Sequence, residues 1–181
     1  KKKIASLESG KLESENPEAE IAACKEQMEA LKKRLFKPII GCEMYVARRG
    51  MHLKDAAQGD RGGWHLIVLA KNMTGYKNLI KLVSNSWVDG FYGRPRTDHE
   101  QLEKYHEGLI ICSACIAGEI PSKILKDDID GARKSIEWHK KLWGDDFYLE
   151  LQRHEVKNPH QRANRETFPL QQRANKVIIE L

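Results

Sequence analysis

The chain has 181 residues, of which 40% are hydrophobic and 31% are charged, and its formal net charge is +5. This length suffices for one domain with a hydrophobic core, and the composition excludes a disordered chain and a membrane-spanning one, because no apolar run is long enough to cross a bilayer. The basic residues are scattered without a long run, so the positive charge is weak evidence for a nucleic-acid partner.

The first 36 residues are predicted to be a polar segment followed by an amphipathic helix. Residues 1–15 are expected to be poorly ordered, and Asn16-Pro17-Glu18 is typical of a helix start. Apolar residues then recur at steps of three and four, at Ile21, Cys24, Met28, Leu31 and Leu35. We expect this seam to pack on the domain body, with a coiled-coil partner as the alternative. The chain lacks an initiator Met and ends on an apolar helix, so we expect an excised fragment.

The next segment, residues 38–46, is predicted to be a strand that is covered on both faces, because it is almost continuously apolar. Glu43 is the exception, since burying an unpaired carboxylate is costly. Glu43 therefore either reaches water or meets a cation, for which a metal ion is one candidate.

Three more strands are predicted, at 64–70, 108–113 and 147–151, with helices between them. Helix starts are expected at Thr74, Thr97 and Pro121 and a helix end at Gly144, and the last helix is expected to break at Pro169. Strands that alternate with helices predict an α/β fold with mostly parallel strands, although four strands are too few to close a barrel. Residues 89–96 carry Arg94 and Arg96 beside Phe91 and Tyr92, and we expect a solvated loop here, with a DNA contact as the alternative.

Residues of metal-ligand type follow these predicted strands. In parallel α/β folds, functional groups gather at the carboxyl ends of strands, where Glu43, Cys115 and Glu150 are expected, with His154 four residues after Glu150. Each has a structural alternative: Cys112 and Cys115 can be two small buried thiols, and the others can be surface residues. The cysteines, at positions 24, 42, 112 and 115, are too few for a disulfide scaffold and predict reduced thiols in the cytoplasm. Spacing alone does not establish a metal site.

Four blocks carry a family resemblance: Lys37-Pro-Ile-Ile-Gly-Cys-Glu43, His65-Leu-Ile-Val-Leu-Ala-Lys-Asn-x-x-Gly-Tyr-x-Asn-Leu79, Gly108-Leu-Ile-Ile-Cys-Ser-Ala-Cys-x-x-Gly-Glu-Ile120 and Phe147-Tyr-Leu-Glu-Leu-Gln152. In order and spacing they resemble the PHP (polymerase and histidinol phosphatase) domain of the alpha subunits of bacterial replicative DNA polymerase III. The resemblance covers residues 37–181, which it implies to be a partial PHP domain, whereas residues 1–36 look like an insertion.

The resemblance implies a partial, distorted (β/α)7 TIM-like barrel with up to three divalent metal ions in the complete domain. The family's metal ligands fall here on Glu43, His65 and Cys115, a set that favours zinc, manganese or iron. It also implies a phosphoesterase of the 3′–5′ exonuclease type within a magnesium-dependent, DNA-directed DNA polymerase, with DNA, the proofreading exonuclease subunit and the sliding clamp as partners. One alternative is a scaffold that binds the exonuclease. A second is a free-standing phosphatase, against which the histidine-poor ligand set and the Cys115 block argue.

This chain contains only three of the metal ligands that the resemblance implies for the complete domain. We therefore expect it to bind metal weakly and to hydrolyse nothing by itself. The predicted strands also raise a geometric difficulty: His65 begins its strand whereas Glu43 comes late in its own. The two side chains share one site only if these strands run antiparallel or are irregular.

Overall fold

The computed structural model describes residues 1–181 and divides them into two compact units, Lys1–Pro38 and Ile39–Leu181. The first unit contains helices α1 (Lys2–Glu8) and α2 (Pro17–Arg34). The Asn16 side chain accepts a hydrogen bond from the Ala19 backbone N–H, so the predicted start of α2 is confirmed. The expectation of a poorly ordered start is wrong for α1, which an ion pair between Lys3 and Glu20 links to α2.

The second unit contains a five-stranded mixed sheet with the strand order β3-β1-β2-β4-β5. Its strands are β1 (Gly41–Val46), β2 (Trp64–Ala70), β3 (Arg96–Thr97), β4 (Leu109–Cys112) and β5 (Phe147–Tyr148). The pairs β1–β2 and β2–β4 are antiparallel, and β1–β3 and β4–β5 are parallel. The α/β class is confirmed, but the expected predominance of parallel strands is wrong. The 47–63 connection carries no crossover helix, which a parallel β1–β2 pair needs.

The helices of this unit lie between the strands in the chain and pack against the sheet. They are α3 (Met73–Val88), α4 (His99–Lys104), α5 (Glu119–Ile124), α6 (Ile129–Trp143) and α7 (Phe168–Glu180). The caps of α3 and α4 are Asn72 and Asp98 rather than the predicted threonines, because each accepts a hydrogen bond from a backbone N–H of the first turn. Pro169 lies in the first turn of α7 and does not break it. None of the helices has the length and apolar composition that crossing a bilayer requires.

The core lies on one face of the sheet, where Met44, Val46, Leu66, Val68 and Ile111 are buried. The opposite face of β1 and β2 is more open, so the prediction that β1 is covered on both sides is wrong. Ile39 and Ile40, which the prediction placed in this strand, precede it and are exposed. Side chains alternate along a strand, so burying Met44 and Val46 directs Glu43 and Tyr45 to the open face.

Candidate metal centre

Glu43 and His65 meet on the open face of the sheet because β1 and β2 are antiparallel. The register pairs Tyr45 with His65 and Glu43 with Ile67, which makes Glu43 and His65 diagonal neighbours on one face. The Nδ1 atom of His65 lies 2.8 Å from Oε1 of Glu43. The late position of one residue and the early position of the other therefore bring the two side chains together.

Cys115 reaches the same imidazole from the turn that follows β4. Its Sγ atom lies 3.4 Å from Nδ1 of His65. Backbone hydrogen bonds attach this turn to the start of β2. The His65 N–H donates to the Ala117 carbonyl, and His65 and Gly118 form an isolated parallel β-bridge. The three predicted ligands thus converge, with His65 between the carboxylate and the thiol.

The turn that carries Cys115 is held in an unusual backbone conformation. Ala114 has a φ of +60°, in the left-handed region that L-residues with a side chain rarely adopt. A Cβ atom on Gly118 would lie 2.1 Å from the Ser113 carbonyl oxygen, so this position has no room for a side chain. Glu150 completes the turn: its carboxylate accepts the Ala114 N–H at 2.7 Å, and its own N–H donates to the Ser113 hydroxyl. Glu150 therefore supports the turn, and it lies just after β5 rather than late in it.

The other residues of metal-ligand type form no hydrogen bond with His65. His154 is exposed, and its Nδ1 atom lies 2.8 Å from the side-chain amide of Gln171. Cys112 pairs with Ile67 within the sheet, and burial, followed by the charge of Glu150, raises the pKa of its thiol. All four cysteines are free thiols. Cys112 is therefore a protonated, half-buried neighbour of Cys115 rather than its partner.

A second cluster of charged groups lies behind the turn and has no counterpart in the sequence predictions. Glu119, which follows Gly118, is buried and accepts hydrogen bonds from Lys123 at 2.7 Å, from Ser135 at 2.7 Å and from His99 at 2.9 Å. Burial by itself would raise the pKa of Glu119, but His99, then Lys123 and Ser135, outweigh it and lower the pKa to about 2. The spacing of Glu119 and Lys123 along a helix is a usable sequence signal, whereas His99 and Ser135 arrive from α4 and α6.

The three converging side chains fit a transition-metal ion in chemistry and nearly in spacing. Tetrahedral zinc with usual bond lengths separates a nitrogen from an oxygen ligand by about 3.3 Å and from a sulfur ligand by about 3.6 Å. His65 and Cys115 are close to that spacing, while Glu43 is about half an ångström too near His65. As arranged, Glu43 and His65 form a hydrogen bond with each other, and no group of three or more His, Cys, Asp and Glu side chains has the geometry to hold a metal ion without a side-chain movement. The Glu43 side chain is 54% exposed and so has room to move.

Comparisons with known proteins agree on one family. The PHP domain family matches residues 10–154. The chain is similar to proteins named DNA polymerase III subunit alpha: it is 54% identical to that of Borreliella burgdorferi over 127 residues, which are 70% of this chain and 11% of the relative. It is 39% identical to that of Thermus aquaticus over 145 residues, 80% of this chain and 11% of the relative. For Aquifex aeolicus the identity is 39% over 160 residues, 84% of this chain and 12% of the relative. The chain thus spans about a tenth of the length of these curated relatives.

Proposed function

This chain belongs to the PHP domain family, and on that premise we propose that it is part of the alpha subunit of a bacterial DNA polymerase III. The whole protein would then be a DNA-directed DNA polymerase that uses magnesium and works with the sliding clamp and the proofreading exonuclease subunit. Residues 37–181 would form part of a distorted (β/α)7 barrel, to which the mixed sheet contributes its strands.

Within this domain, we propose that Glu43, His65 and Cys115 bind a divalent transition-metal ion, with zinc, manganese and iron as candidates. The observation that carries the proposal is the position of His65 Nδ1, 2.8 Å from the carboxylate and 3.4 Å from the thiol. Carboxylate, imidazole and thiolate are together a set that such ions accept. When bound, the metal supplies an activated water and charge stabilisation for cleaving a phosphodiester.

The residues of this chain would hold that chemistry in place. The antiparallel pair β1–β2 positions the carboxylate and the imidazole, and the Ala114–Gly118 turn delivers the thiol. Three ligands are few for a site that in the complete domain would hold up to three ions. We therefore still predict that this chain alone binds metal weakly and hydrolyses nothing.

A cobalt(II) titration tests the site, because a thiolate bound to cobalt has a charge-transfer absorption. The wild-type chain is expected to develop this band, the Cys115→Ser variant to lose it, and Glu43→Gln to bind cobalt at least about tenfold more weakly. Cys112→Ser is the matched control, since Cys112 is a free thiol three positions away that forms no hydrogen bond with His65. No band at saturating cobalt in the wild type, or an equal band in Cys115→Ser, would refute the proposal.

The second candidate is a scaffold that binds the proofreading exonuclease subunit. Glu43 and His65 satisfy each other by a hydrogen bond, so a vestigial site of this kind would leave neither group unpaired. Titration calorimetry with a purified exonuclease subunit tests this candidate. Association that persists in Glu43→Gln and Cys115→Ser, together with no cobalt band in the wild type, would favour the scaffold over the metal site.

A further inference from the structure

The two arginines that precede and begin β3 have opposite environments. Arg96 is fully buried, and its guanidinium donates to the backbone carbonyls of Gly90, Met51, Leu53 and Asp60. Arg96 therefore anchors the 47–63 connection and the loop before β3. The expectation of a solvated loop is wrong for this residue. Arg94 is exposed.

Arg94 lies beside the candidate metal ligands. Its Nη1 atom donates to the Tyr45 hydroxyl at 2.5 Å, and its guanidinium carbon lies 4.7 Å from the centre of the Tyr45 ring. Tyr45 in turn meets His65 edge-on, with ring centroids 5.0 Å apart. The sequence of contacts Arg94–Tyr45–His65 runs along the same open face of the sheet as Glu43.

The chain around Arg94 keeps it close to Tyr45. Arg96 is paired with Tyr45 across β1 and β3, and Arg94 lies two residues before Arg96, just ahead of the strand. Pro95 lies between them and fixes its own φ, which restricts the path of the chain. Arg94 is therefore held by backbone and by Tyr45, while most of its N–H donors remain open to solvent.

We propose that Arg94 is a phosphate-binding residue for a phosphoester presented to the face that carries Glu43, His65 and Cys115. The inference deepens the proposed metal site and rests on it for the reaction, but the anion contact itself needs only Arg94 and Tyr45. The planar guanidinium presents paired donors that match two phosphate oxygens.

A phosphodiester of single-stranded nucleic acid fits this position better than a free phosphate. Trp87 and Phe91 stack with ring centroids 5.6 Å apart, and both are exposed. Trp87 lines the same small cavity, of about 80 Å³, as Glu43, Tyr45 and Pro95. Exposed aromatic rings on which bases can stack, together with basic groups that hold the backbone, are the usual platform for unpaired nucleotides.

Nuclear magnetic resonance titrations with two probes test the proposal: inorganic phosphate and a four-residue oligothymidylate. Each is added to the metal-free chain and to the chain with one equivalent of zinc. The Arg94→Met variant is expected to weaken binding of both probes about tenfold, the loss of one charge-assisted hydrogen bond. Arg94→Lys should fall between, and Tyr45→Phe should weaken binding less than Arg94→Met. Arg133→Met, which removes an exposed arginine of α6, is the matched control and should change nothing.

The outcomes separate this inference from the metal proposal. If Arg94→Met binds both probes as tightly as the wild type, the inference is overturned whatever the cobalt band shows. If the wild type gives no cobalt band, the metal proposal fails, while an effect of Arg94→Met in the metal-free chain still supports the phosphate contact. A loss in Trp87→Ala confined to the oligothymidylate identifies nucleic acid as the source of the phosphate. Equal behaviour of both probes in Trp87→Ala assigns Arg94 to small phosphoesters instead.

Discussion

Replacing Glu119 by glutamine should destabilise the fold by an amount that depends on pH. The ionised carboxylate accepts hydrogen bonds from His99, Lys123 and Ser135, and its pKa is lowered from 4.5 to about 2. A carboxyl group whose pKa is lower in the folded state contributes stability above its unfolded pKa. That contribution is lost as the pH falls from about 4.5 through about 2. The difference corresponds to about 3 kcal/mol at about 1.4 kcal/mol per pH unit.

The assay is urea unfolding of the wild type and Glu119→Gln at pH 6 and at pH 2.5. The loss of free energy of unfolding in the variant should be about 3 kcal/mol at pH 6 and below about 1 kcal/mol at pH 2.5. Other carboxyl groups titrate in both proteins, so they cancel in the difference. Glu137→Gln is the matched control, because Glu137 is exposed on α6, and its loss should stay within about 0.5 kcal/mol.

A loss in Glu119→Gln that is the same at both pH values would refute the reasoning, since it would show that the charge of Glu119 contributes nothing. A loss at pH 6 no larger than that of Glu137→Gln would do the same. The result bears on the candidate site, because Glu119 directly follows Gly118 and ties the end of the Cys115 turn to α4 and α6. We therefore expect Glu119→Gln also to weaken cobalt binding.

Four further outcomes are expected. Burial lowers the pKa of His139 below 6.5, so its imidazole should protonate at a lower pH than a free histidine in an NMR titration, and the stability it contributes is present above pH 6.5 and lost as the pH falls through the lower folded value. Gly118→Ala should cost about 1–3 kcal/mol in urea unfolding and abolish the cobalt band, because the added Cβ meets the Ser113 carbonyl. Arg96→Met should lower the free energy of unfolding in urea by about 2–4 kcal/mol, since four backbone carbonyls, three of them in buried hydrogen bonds, lose their donor. The chain with zinc should not cleave bis(p-nitrophenyl) phosphate above the metal-only rate, and a rate abolished by Glu43→Ala would contradict this.

The sequence predicts which segments form helices and strands better than how the strands pair. The bounds of β2 and the end of α6 at Gly144 agree with the predictions, because apolar periodicity and a left-handed glycine are local signals. Strand direction is not local. Apolar alternation is the same in a parallel and in an antiparallel strand, and only the missing crossover helix between β1 and β2 indicates the observed pairing.

The candidate site shows the same division between local and distant information. The residue types at positions 43, 65 and 115 follow from the sequence and its resemblance, and the structure brings all three together. The residues that support the site could not be predicted from the sequence. Glu150 reaches the Cys115 turn from beyond β5, and the partners of Glu119 come from three helices. Arg94 and Arg96 are two positions apart, yet only tertiary packing separates a buried anchor from an exposed donor.

The core and the candidate site depend on one strand register. Side chains alternate, so a slip of β1 by one residue would expose Met44 and Val46 and bury Glu43 and Tyr45, and the cost of that exchange makes the observed register the stable one. Glycines protect this register at both ends of the β1–β2 pair. A Cβ on Gly41 would lie 2.8 Å from the Val68 carbonyl oxygen, and one on Gly63 would lie 2.7 Å from that of Val46. Hydrophobic packing on one face therefore holds the carboxylate, the imidazole and the tyrosine in position on the other, so substitutions in that packing should weaken metal and phosphate binding without touching either ligand.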